Sequence, residues 1–413
     1  MSSQFNPVFH VEHDVAPALL PAKILRNDDE ALQAAHELAQ MARQRAAQRD
    51  RERALPWDEI ELFTGSGLGS ISVPKQYGGP EVSFATIAEV FRIISAADPA
   101  LGQIPQNQFG ILQLLRLTAT EDQQAVIFRS VLEGARIGNA GPERGSKDTL
   151  TLKARITRSD DGYRLSGEKF YSTGALFAHW VAVKALDDQG LQRLAFVHRG
   201  SPGLRIVDDW SGFGQRTTAS GTVLLDDVPV EAALVVDNWR QRDLPNTQGA
   251  GSQLIQAAID AGIAEAAIDD AIAFVREKSR PFIEAKVERA SDDLYVIADI
   301  GRLKLELHAA QALLGKAARV LDEVHAAPID AASAARASIA VAEAKVLTTE
   351  VALQASEKLF ELAGSRATLA EFNLDRHWRN ARVHTLHDPV RWKYHAVGAY
   401  HLNGTLPARH SWI

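Results

Sequence analysis

Apolar residues in this chain recur every three or four positions near both ends and every second position in the middle. Near the N-terminus, Asp28 to Arg53, Phe84 to Ala97 and about Glu121 to Glu133 have the composition and spacing of helices. The first 30 residues carry three prolines without a clear period, which is typical of an arm on the surface or on a neighbouring subunit. We therefore expect an arm over residues 1–30 and a helical domain over residues 31–137.

Between roughly Gly138 and Val235 the period changes to two. Leu152, Ala154 and Ile156 alternate with polar residues, and a following Asp-Gly pair supplies a hairpin turn. Further strands are predicted at Val181–Ala185, Leu194–His198 and Thr222–Leu225. This pattern predicts a middle β domain over residues 138–240, built as a small barrel or a sandwich.

In the last third of the chain the helical spacing returns, as in Ile255 and Ile259. These helices are long, rich in Ala and Leu, and interrupted by short breaks at Pro281 and Pro328. Close packing of such helices predicts a four-helix bundle over residues 241–413. The whole chain is therefore expected to have an α+β fold of three domains, and the long apolar faces of the bundle predict an oligomer.

Composition narrows the class of function. The chain has 413 residues, with 45 Lys and Arg against 52 Asp and Glu, and this formal charge of -7 offers no basic field for nucleic acid. The absence of cysteine excludes disulfides, thiolate metal sites and cysteine nucleophiles. Met1 to Val15 lacks the features of a signal peptide, and no stretch approaches the ~18 apolar residues of a spanning helix. We expect a cytoplasmic protein that acts on a small molecule, without a membrane or nucleic-acid partner.

Four short segments carry recognisable patterns in a fixed order. They are Ser66–Gly79, Asp98–Gly102, Gly167–Gly174 and Asp226–Val230. Their residues resemble the entry loop, the next helix boundary, the flavin-contacting strand and the last strand of the β domain in the acyl-CoA dehydrogenase superfamily. No single motif is enough to identify the superfamily, but the order and spacing of the four motifs together are. The resemblance covers nearly the whole chain after the arm and implies the same helical, β and helical domain order.

A second set of segments consists of Gly138–Ala140, Trp210–Ser220, Lys278–Pro281, Ala363–Thr368 and the turn His387-Asp388-Pro389. These resemble one branch of that superfamily, the reduced-flavin-dependent monooxygenases. The dehydrogenases carry Tyr-Glu-Gly at the turn, with Glu as their catalytic base. The likeness implies reduced FMN delivered by a separate flavin reductase, with FAD as the alternative, together with oxygen and a small-molecule substrate. It also implies a homotetramer built from two dimers.

Two residues are expected at the flavin ring. Thr173 stands where the family's hydroxyl reaches the flavin N5 and O4 edge, where it can accept from the reduced ring and donate to the oxidised one. Asn139 should face the pyrimidine side of the ring or the substrate. The structural alternatives are an ordinary strand threonine and an asparagine that caps a strand end.

Four further residues are candidates for binding groups. Arg280 and Arg366 can hold the flavin phosphate, because a guanidinium matches phosphate oxygens in pairs. In relatives such arginines come from different subunits. Trp210 and Phe213 lie in a Gly-rich loop, where Trp210 could stack on the flavin and Phe213 could close the substrate pocket. Alternatively, the two aromatic side chains only fill hydrophobic space, and Arg280 is only a surface charge at the end of a helix.

The turn His387-Asp388-Pro389, which differs from the Tyr-Glu-Gly of the dehydrogenases, contains the candidate catalytic residues. His387 stands beside the flavin carbon that reacts with oxygen, where an imidazole can donate to the oxygen and act as acid when the O–O bond breaks. Asp388 occupies the dehydrogenase glutamate position but is shorter by ~1.5 Å, which disfavours acyl-CoA oxidation. Gln108 replaces a histidine of the relatives, so it either shapes the substrate pocket or marks a different substrate. His384 and His387 are three residues apart, but no partner carboxylate at helical spacing supports a metal site.

Three functions follow from these residues. The first is a two-component monooxygenase that oxygenates a small organosulfur or similar apolar compound. The second is an acyl-CoA dehydrogenase with tightly held FAD and Asp388 as its base. The third is a flavin-free assembly or regulatory protein, which would gain no stability from FMN or FAD.

Overall fold

The computed structural model describes residues 16–148 and 151–413, and within these ranges the chain forms ten α-helices and eight β-strands. The helices are α1 (Asp28–Glu52), α2 (Trp57–Gly65), α3 (Phe84–Ala97), α4 (Pro99–Thr118), α5 (Glu121–Leu132), α6 (Gln248–Glu277), α7 (Leu294–His325), α8 (Ala331–Ala363), α9 (Asp375–His384) and α10 (Arg391–Asn403). The strands are β1 (Ile137–Ala140), β2 (Arg155–Ser159), β3 (Gly162–Lys169), β4 (Trp180–Leu186), β5 (Gln192–His198), β6 (Leu204–Val207), β7 (Thr222–Val230) and β8 (Val235–Val236). The predicted α+β order of helical, β and helical blocks is confirmed.

The N-terminal helices are joined by a buried arginine. Arg49, near the end of α1, is 2% exposed and forms ion pairs with Glu59 of α2 and with Asp98. Asp98 is also the N-cap of α4, where its carboxylate accepts the backbone N–H of Ala100. One guanidinium therefore fixes the start of α4, the helix that later forms a wall of the candidate site.

The described part of the predicted arm, residues 16–27, packs on its own chain. The N–H of Lys23 donates to the carbonyl of Gly65 at 3.1 Å. His179 accepts the N–H of Arg136 at Nδ1 (2.9 Å), so its Nε2 carries the proton and donates to the carbonyl of Ala18 at 3.2 Å. The arm ends at residue 27, because α1 begins at Asp28; residues 1–15 of the prediction lie outside the described ranges.

Protonation of His179 is expected to loosen this contact. Burial and the Arg136 guanidinium lower the pKa of His179 from 6.5 to about 4. Between pH 6.5 and pH 4 the His179 side chain is therefore protonated in the unfolded chain but neutral in the folded one. The free energy of unfolding falls as the pH drops through this range, by about 2 kcal/mol for this group. Thermal melts of wild type and His179→Gln across this range should show a flatter pH dependence in the variant. Exposed His36→Gln is the control and should melt like wild type at each pH.

The middle strands form one sheet in the order β6-β7-β3-β2-β4-β5-β8, and β1 adds to β4 as a parallel neighbour. Among the described residues no ladder joins β6 to β8, so the sheet stays open and the closed-barrel alternative does not form. The parallel pair sets Asn139 opposite Ala182. It brings β1, which follows the N-terminal helices, into the centre of the β domain.

One predicted strand starts later than its alternation suggested. Leu152 and Ala154 are buried, yet β2 begins only at Arg155. The Glu143 carboxylate accepts the backbone N–H groups of Lys153 and Ala154 at 2.7 and 3.0 Å. The Glu143 side chain therefore binds the backbone N–H groups that would otherwise pair with a neighbouring strand. The alternating apolar residues at this point indicate burial but not strand pairing.

The C-terminal block rests on three helices of 30, 32 and 33 residues, α6, α7 and α8. The breaks expected at Pro281 and Pro328 fall just after α6 and α7 end. The shorter α10 packs against α8, and α9 lies against both α6 and α8. The C-terminal helical domain is thus confirmed, and the end of α9, just before the His387 turn, lies against Asp260 near the middle of α6. No helix in the described ranges is long and apolar enough to cross a membrane.

Candidate active site

The segment after β3 presents a chain of hydroxyl groups. Thr173 is 7% exposed, and its Oγ1 lies 2.7 Å from Oγ of Ser220. Ser220 in turn lies 2.8 Å from Oγ1 of Thr218, which donates to the carbonyl of Gln215. Because Thr218 donates to that carbonyl, it accepts from Ser220, and Ser220 then accepts from Thr173 unless a ligand takes the Thr173 proton. Thr173 is therefore oriented by its own chain and keeps capacity for one further partner.

The end of β3 is held in place by a fully buried ion pair. Lys169 is 0% exposed and donates to Glu143 Oε1 at 2.7 Å and to the carbonyl of Gly141 at 3.1 Å. Burial lowers the pKa of Lys169, with Glu143 opposing that effect. The family-like lysine thus fixes the strand that leads to Thr173.

Asn139 lies directly beside Thr173. Its backbone N–H donates to the Thr173 carbonyl at 3.1 Å. At the preceding position, a Cβ on Gly138 would lie 2.4 Å from Cα of Ala175, so only glycine allows this close approach. The structure therefore brings the two predicted flavin residues together on adjacent segments.

Two aromatic residues form the outer edge of this region. The Trp210 indole donates to the carbonyl of Gln215 at 2.9 Å, which folds the Gly-rich loop back on itself. Its ring meets the Tyr171 ring edge to face at 6.2 Å. Tyr171 is 52% exposed and was missed by the sequence reasoning, although it stands at the tryptophan of the motif Gly-x-Lys-x-Trp. Phe213, also half-exposed, stacks on Trp378 of α9 at 5.8 Å.

The loop is fastened to α9. The N–H of Gln215 donates to Oδ1 of Asn380 at 2.6 Å, and Arg379 donates to the carbonyl of Phe213 at 3.1 Å. A Cβ on Gly214 would lie 1.9 Å from the Arg379 carbonyl oxygen, so the loop and helix touch through bare backbone. These contacts connect the hydroxyl chain of β3 to the helix that ends at the His387 turn.

His387 and Asp388 form a dyad at this turn. Nδ1 of His387 lies 3.2 Å from Oδ1 of Asp388, and the buried ammonium of Lys393 lies 3.2 Å from Oδ2. Burial opposes ionisation of Asp388, but the His387 hydrogen bond and the cations of Lys345 and Lys393 outweigh it and hold the pKa of Asp388 well below its usual range. The carboxylate therefore orients an imidazole whose other side, Nε2, is free to meet a reactant; the His387 side chain is 35% exposed.

A second buried cluster lies one turn earlier and was also missed. His384 is 3% exposed, with Nδ1 2.5 Å from Asp260 and Nε2 3.1 Å from Oε1 of Gln103. Lys345 donates to the same aspartate at 2.6 Å. His384 thus has partners other than His387, and the described residues hold no group of three or more potential metal ligands.

Gln108 is committed to the backbone. Its Nε2 donates to the carbonyl of Gly69 at 2.6 Å, and its Oε1 accepts the N–H of Ile137 at 2.8 Å. It lines a small enclosed cavity together with Ile104 and Pro105. Of the two expectations, a role in shaping the pocket agrees with this geometry, because both amide atoms of Gln108 are held by backbone groups.

The two candidate phosphate ligands lie on the turns that follow α6 and α8. Arg280 is exposed after α6, and Arg366 is exposed on the turn after α8. Arg366 donates to the carbonyl of Lys278 at 3.4 Å, so the two arginine-bearing turns touch within one chain. The Arg366 guanidinium also lies 5.8 Å from the centre of the Phe372 ring, and the role of both arginines in flavin binding stays a prediction.

Polar atoms without partners support a ligand in this region. Oγ of Ser172 and both amide atoms of Gln215 are buried and make no hydrogen bond to any described residue. Buried polar groups are almost always satisfied, so such a group beside Thr173 calls for a partner from outside the chain. A flavin ring carries donors and acceptors along one edge, and these residues fit that edge.

The chain matches two family models, described as "Acyl-CoA dehydrogenase, N-terminal domain" over residues 27–135 and "Acyl-CoA dehydrogenase, C-terminal domain" over residues 254–392. It belongs to the acyl-CoA dehydrogenase superfamily. Dibenzothiophene monooxygenase of Rhodococcus erythropolis is 32% identical over 92% of this chain and 95% of its own. A probable FMNH2-dependent monooxygenase, SfnC of Pseudomonas putida, is 30% identical over 92% and 96%.

The fold comparison agrees with these relatives. The crystal structure of FMN-bound TdsC from Paenibacillus sp. A11-2 superposes with a TM-score of 0.88 at 30% identity, covering 93% of this chain and 100% of that one. Butyryl-CoA dehydrogenase of Megasphaera elsdenii shares only the fold, at 18% identity and a TM-score of 0.77. Within the superfamily, the chain is a flavin-dependent monooxygenase.

Proposed function

We propose that this protein is the oxygenase of a two-component system, which takes reduced FMN from a separate flavin reductase and oxygenates a small organosulfur or related apolar compound. The observation that carries the proposal is the His387–Asp388–Lys393 group at the turn where a dehydrogenase needs a free carboxylate. Relatives described as dibenzothiophene monooxygenase and as an FMNH2-dependent enzyme support the substrate class and the cofactor.

Each residue of the site has a proposed role in this reaction. Bound reduced flavin supplies the electrons that activate dioxygen. Thr173 and the polar atoms of Ser172 and Gln215 orient the ring edge. His387, whose Nδ1–H is held by Asp388, donates a hydrogen bond from Nε2 to the reacting oxygen in its doubly protonated form and gives up that proton when the oxygen leaves as water. Trp210 and Tyr171 shield the region from bulk water.

The dehydrogenase alternative is less well supported. A base that abstracts a proton must have an available carboxylate with a suitable pKa. Both oxygens of Asp388 have a charged or imidazole neighbour at 3.2 Å, and the pKa of Asp388 lies well below its usual range. In this arrangement Asp388 is a poor acceptor for a substrate proton.

We also propose that the protein works as a homotetramer. Large apolar side chains are exposed near the start of α7 and on α10, which is typical of subunit contacts. They are Phe282 (67%), Ile283 (85%), Leu294 (80%), Tyr295 (84%), Trp392 (60%) and Leu402 (83%). Arg280 lies next to the first of these groups. This position supports a role for its guanidinium in binding the flavin phosphate of a neighbouring subunit.

A coupled assay tests the function. The protein is mixed with FMN, NADH, a flavin reductase and ¹⁸O₂, and products from sulfides, sulfones and thiophenes are measured by mass spectrometry. We expect one ¹⁸O atom in the product and no enoyl-CoA when an acyl-CoA and a dye acceptor are supplied instead. Rapid desaturation of the thioester would favour the dehydrogenase.

Thermal stability tests the flavin-free alternative in the same preparation. A ligand at 100 times its Kd stabilises the native state by about 2.7 kcal/mol, so FMN should raise the melting temperature by several degrees. FAD serves as the comparison nucleotide. No shift with either nucleotide would favour an assembly or regulatory protein.

A further inference from the structure

A complete ion pair lies in the middle of the helical domain. Asp260 of α6 is 0% exposed and Lys345 of α8 is 1% exposed, with 2.6 Å between the ammonium and Oδ2. Thr349, one turn further along α8, donates to the same oxygen at 2.9 Å. The other oxygen, Oδ1, faces Nδ1 of His384 at 2.5 Å. All of these side chains are buried, so the pair has no access to bulk solvent.

This pair is connected to the flavin region through α4. Nε2 of His384 meets Gln103, and the next residue, Ile104, has its carbonyl oxygen 2.8 Å from the place of a Cβ on Gly174. Gly174 directly follows Thr173. The Asp260–His384 dyad therefore stands in the wall behind the hydroxyl that we assign to the flavin.

The cluster also adjoins the His387–Asp388 dyad. His384 and His387 are one helical turn apart, and the charge of Lys345 helps to lower the pKa of Asp388. Together Asp260 and Asp388 contribute two negative charges, and Lys345 and Lys393 two positive ones. The cluster is neutral when both imidazoles are neutral, so one added proton gives it a net positive charge in a site that has little solvent to screen it.

Stability alone gives a weak reason for such an arrangement. A buried ion pair can often be replaced by apolar residues with little or no loss of stability. The buried faces of α6 and α8 are mostly Ala, Ile, Val and Leu, with polar exceptions such as Gln256 and Thr348. Charged groups placed there beside a reaction site are more readily explained by control of protonation.

We propose that Asp260 and Lys345 are positioning residues of the reaction site, which together fix the ring orientation and charge of His384 as a second proton-holding imidazole beside His387. This inference rests on the proposed oxygenase function for its effect on turnover. The control of His384 by the two charges does not depend on that function. The two dyads would let the site hold an added proton on His384 and pass it to His387, whose Nε2 can donate to the reacting oxygen only when Nδ1–H also remains on Asp388.

Each element around His384 has a stated influence on it. Asp260 from α6 raises its pKa, Lys345 from α8 and His387 from the following turn lower it, and Gln103 from α4 is uncharged. Lys393 of α10 and His410 of the C-terminal segment lie further out, around Asp388. Burial is the largest influence, and the pKa of His384 lies below its usual value.

Charge-removing variants test the assignment by the sign of their effects. Histidine side chains are labelled with ¹³C in the full-length protein without flavin, and the NMR resonance lost in His384→Gln identifies His384. Lys345→Met should raise its titration midpoint by about one pH unit or more, because a cation within a few ångströms has been removed. Adding Asp260→Asn to Lys345→Met should lower the midpoint again. Lys358→Met, elsewhere on α8, is the matched control and should leave it unchanged.

The double variant protects the test against misfolding. It leaves no unpaired buried charge, and its midpoint should lie below that of wild type because Asp260 touches His384 directly whereas Lys345 does not. In the coupled assay, the pH profile of kcat/KM should move in the same direction as each NMR midpoint. A merely structural role would lower activity without moving the profile.

Three results would overturn the proposal. They are equal midpoints in all variants, a midpoint in the double variant that is not lower than in Lys345→Met, and NMR shifts without any movement of the pH profile. A complete lack of oxygenated product from wild type has a different meaning. It contradicts the proposed function, while the NMR titration still decides whether Asp260 and Lys345 control His384.

Discussion

Replacing His387 by phenylalanine is expected to abolish coupled oxygenation while FMN still binds. The imidazole is the group in the site that combines an oriented ring, a carboxylate partner and a partly exposed second nitrogen. Loss of such an acid lowers turnover by about 10²–10⁴-fold. Phenylalanine keeps a planar ring of similar size, so the flavin contacts proposed for Thr173 and Gln215 should remain.

The measurement is the ratio of oxygenated product to NADH consumed, with hydrogen peroxide quantified in the same reaction. In His387→Phe the electrons should appear as peroxide, because the activated oxygen is lost before it reaches substrate. Leu386→Phe introduces the same ring one residue earlier, at a position that is 61% exposed, and should behave like wild type. A His387→Phe enzyme with normal product yield would show that the proton comes from another group.

The domain order was predictable because the spacing of apolar residues differs between helices and strands and so indicates which of the two forms. Helix α3 was predicted at its observed bounds, and the end of α1 was predicted to within one residue. Helix α4 was not predicted as a helix beyond its first residues, since Pro105 and four glutamines interrupt the apolar pattern. Its start carries the clear signals of Asp98 as N-cap and Pro99 at the first helical position.

The candidate site was predictable only where a motif is local in sequence. Thr173, Asn139 and His387 follow from short patterns. Tyr171 could have been found from the same pattern as Thr173. The second dyad could not, because Asp260 lies 85 residues from Lys345 and 124 residues from His384. A lone charge in an apolar helix gives no sign of its partner until the helices are packed together.

The role of Gln108 shows a different limit. A histidine-to-glutamine difference near a substrate pocket suggested altered chemistry. The structure shows the amide bridging Gly69 and Ile137, two backbone segments far apart in sequence. Whether a polar side chain meets a substrate or the backbone depends on loop positions that a sequence pattern does not specify.

Removing the charge of Asp388 is expected to damage stability and turnover together. In Asp388→Asn the ammonium of Lys393, only 1% exposed, loses its carboxylate and retains the carbonyl of Trp412. Breaking one partner of a buried ion pair costs about 3–5 kcal/mol. His387 also loses the partner that holds its ring, so turnover should fall by about 10²–10⁴-fold, as for other histidines deprived of a buried aspartate.

The double variant Asp388→Asn with Lys393→Met separates the two effects. It removes the unpaired charge, so urea unfolding at pH 7 should show most of the lost stability regained, while turnover stays low because His387 is still unsupported. The pKa of Asp388 is held below its usual range, so the carboxylate stabilises the fold above about pH 4 and less in acid. The stability difference between wild type and Asp388→Asn should therefore shrink as the pH falls below that value. Recovery of both stability and turnover in the double variant would mean that the dyad only supports the fold, and the acid role of His387 would then need no carboxylate.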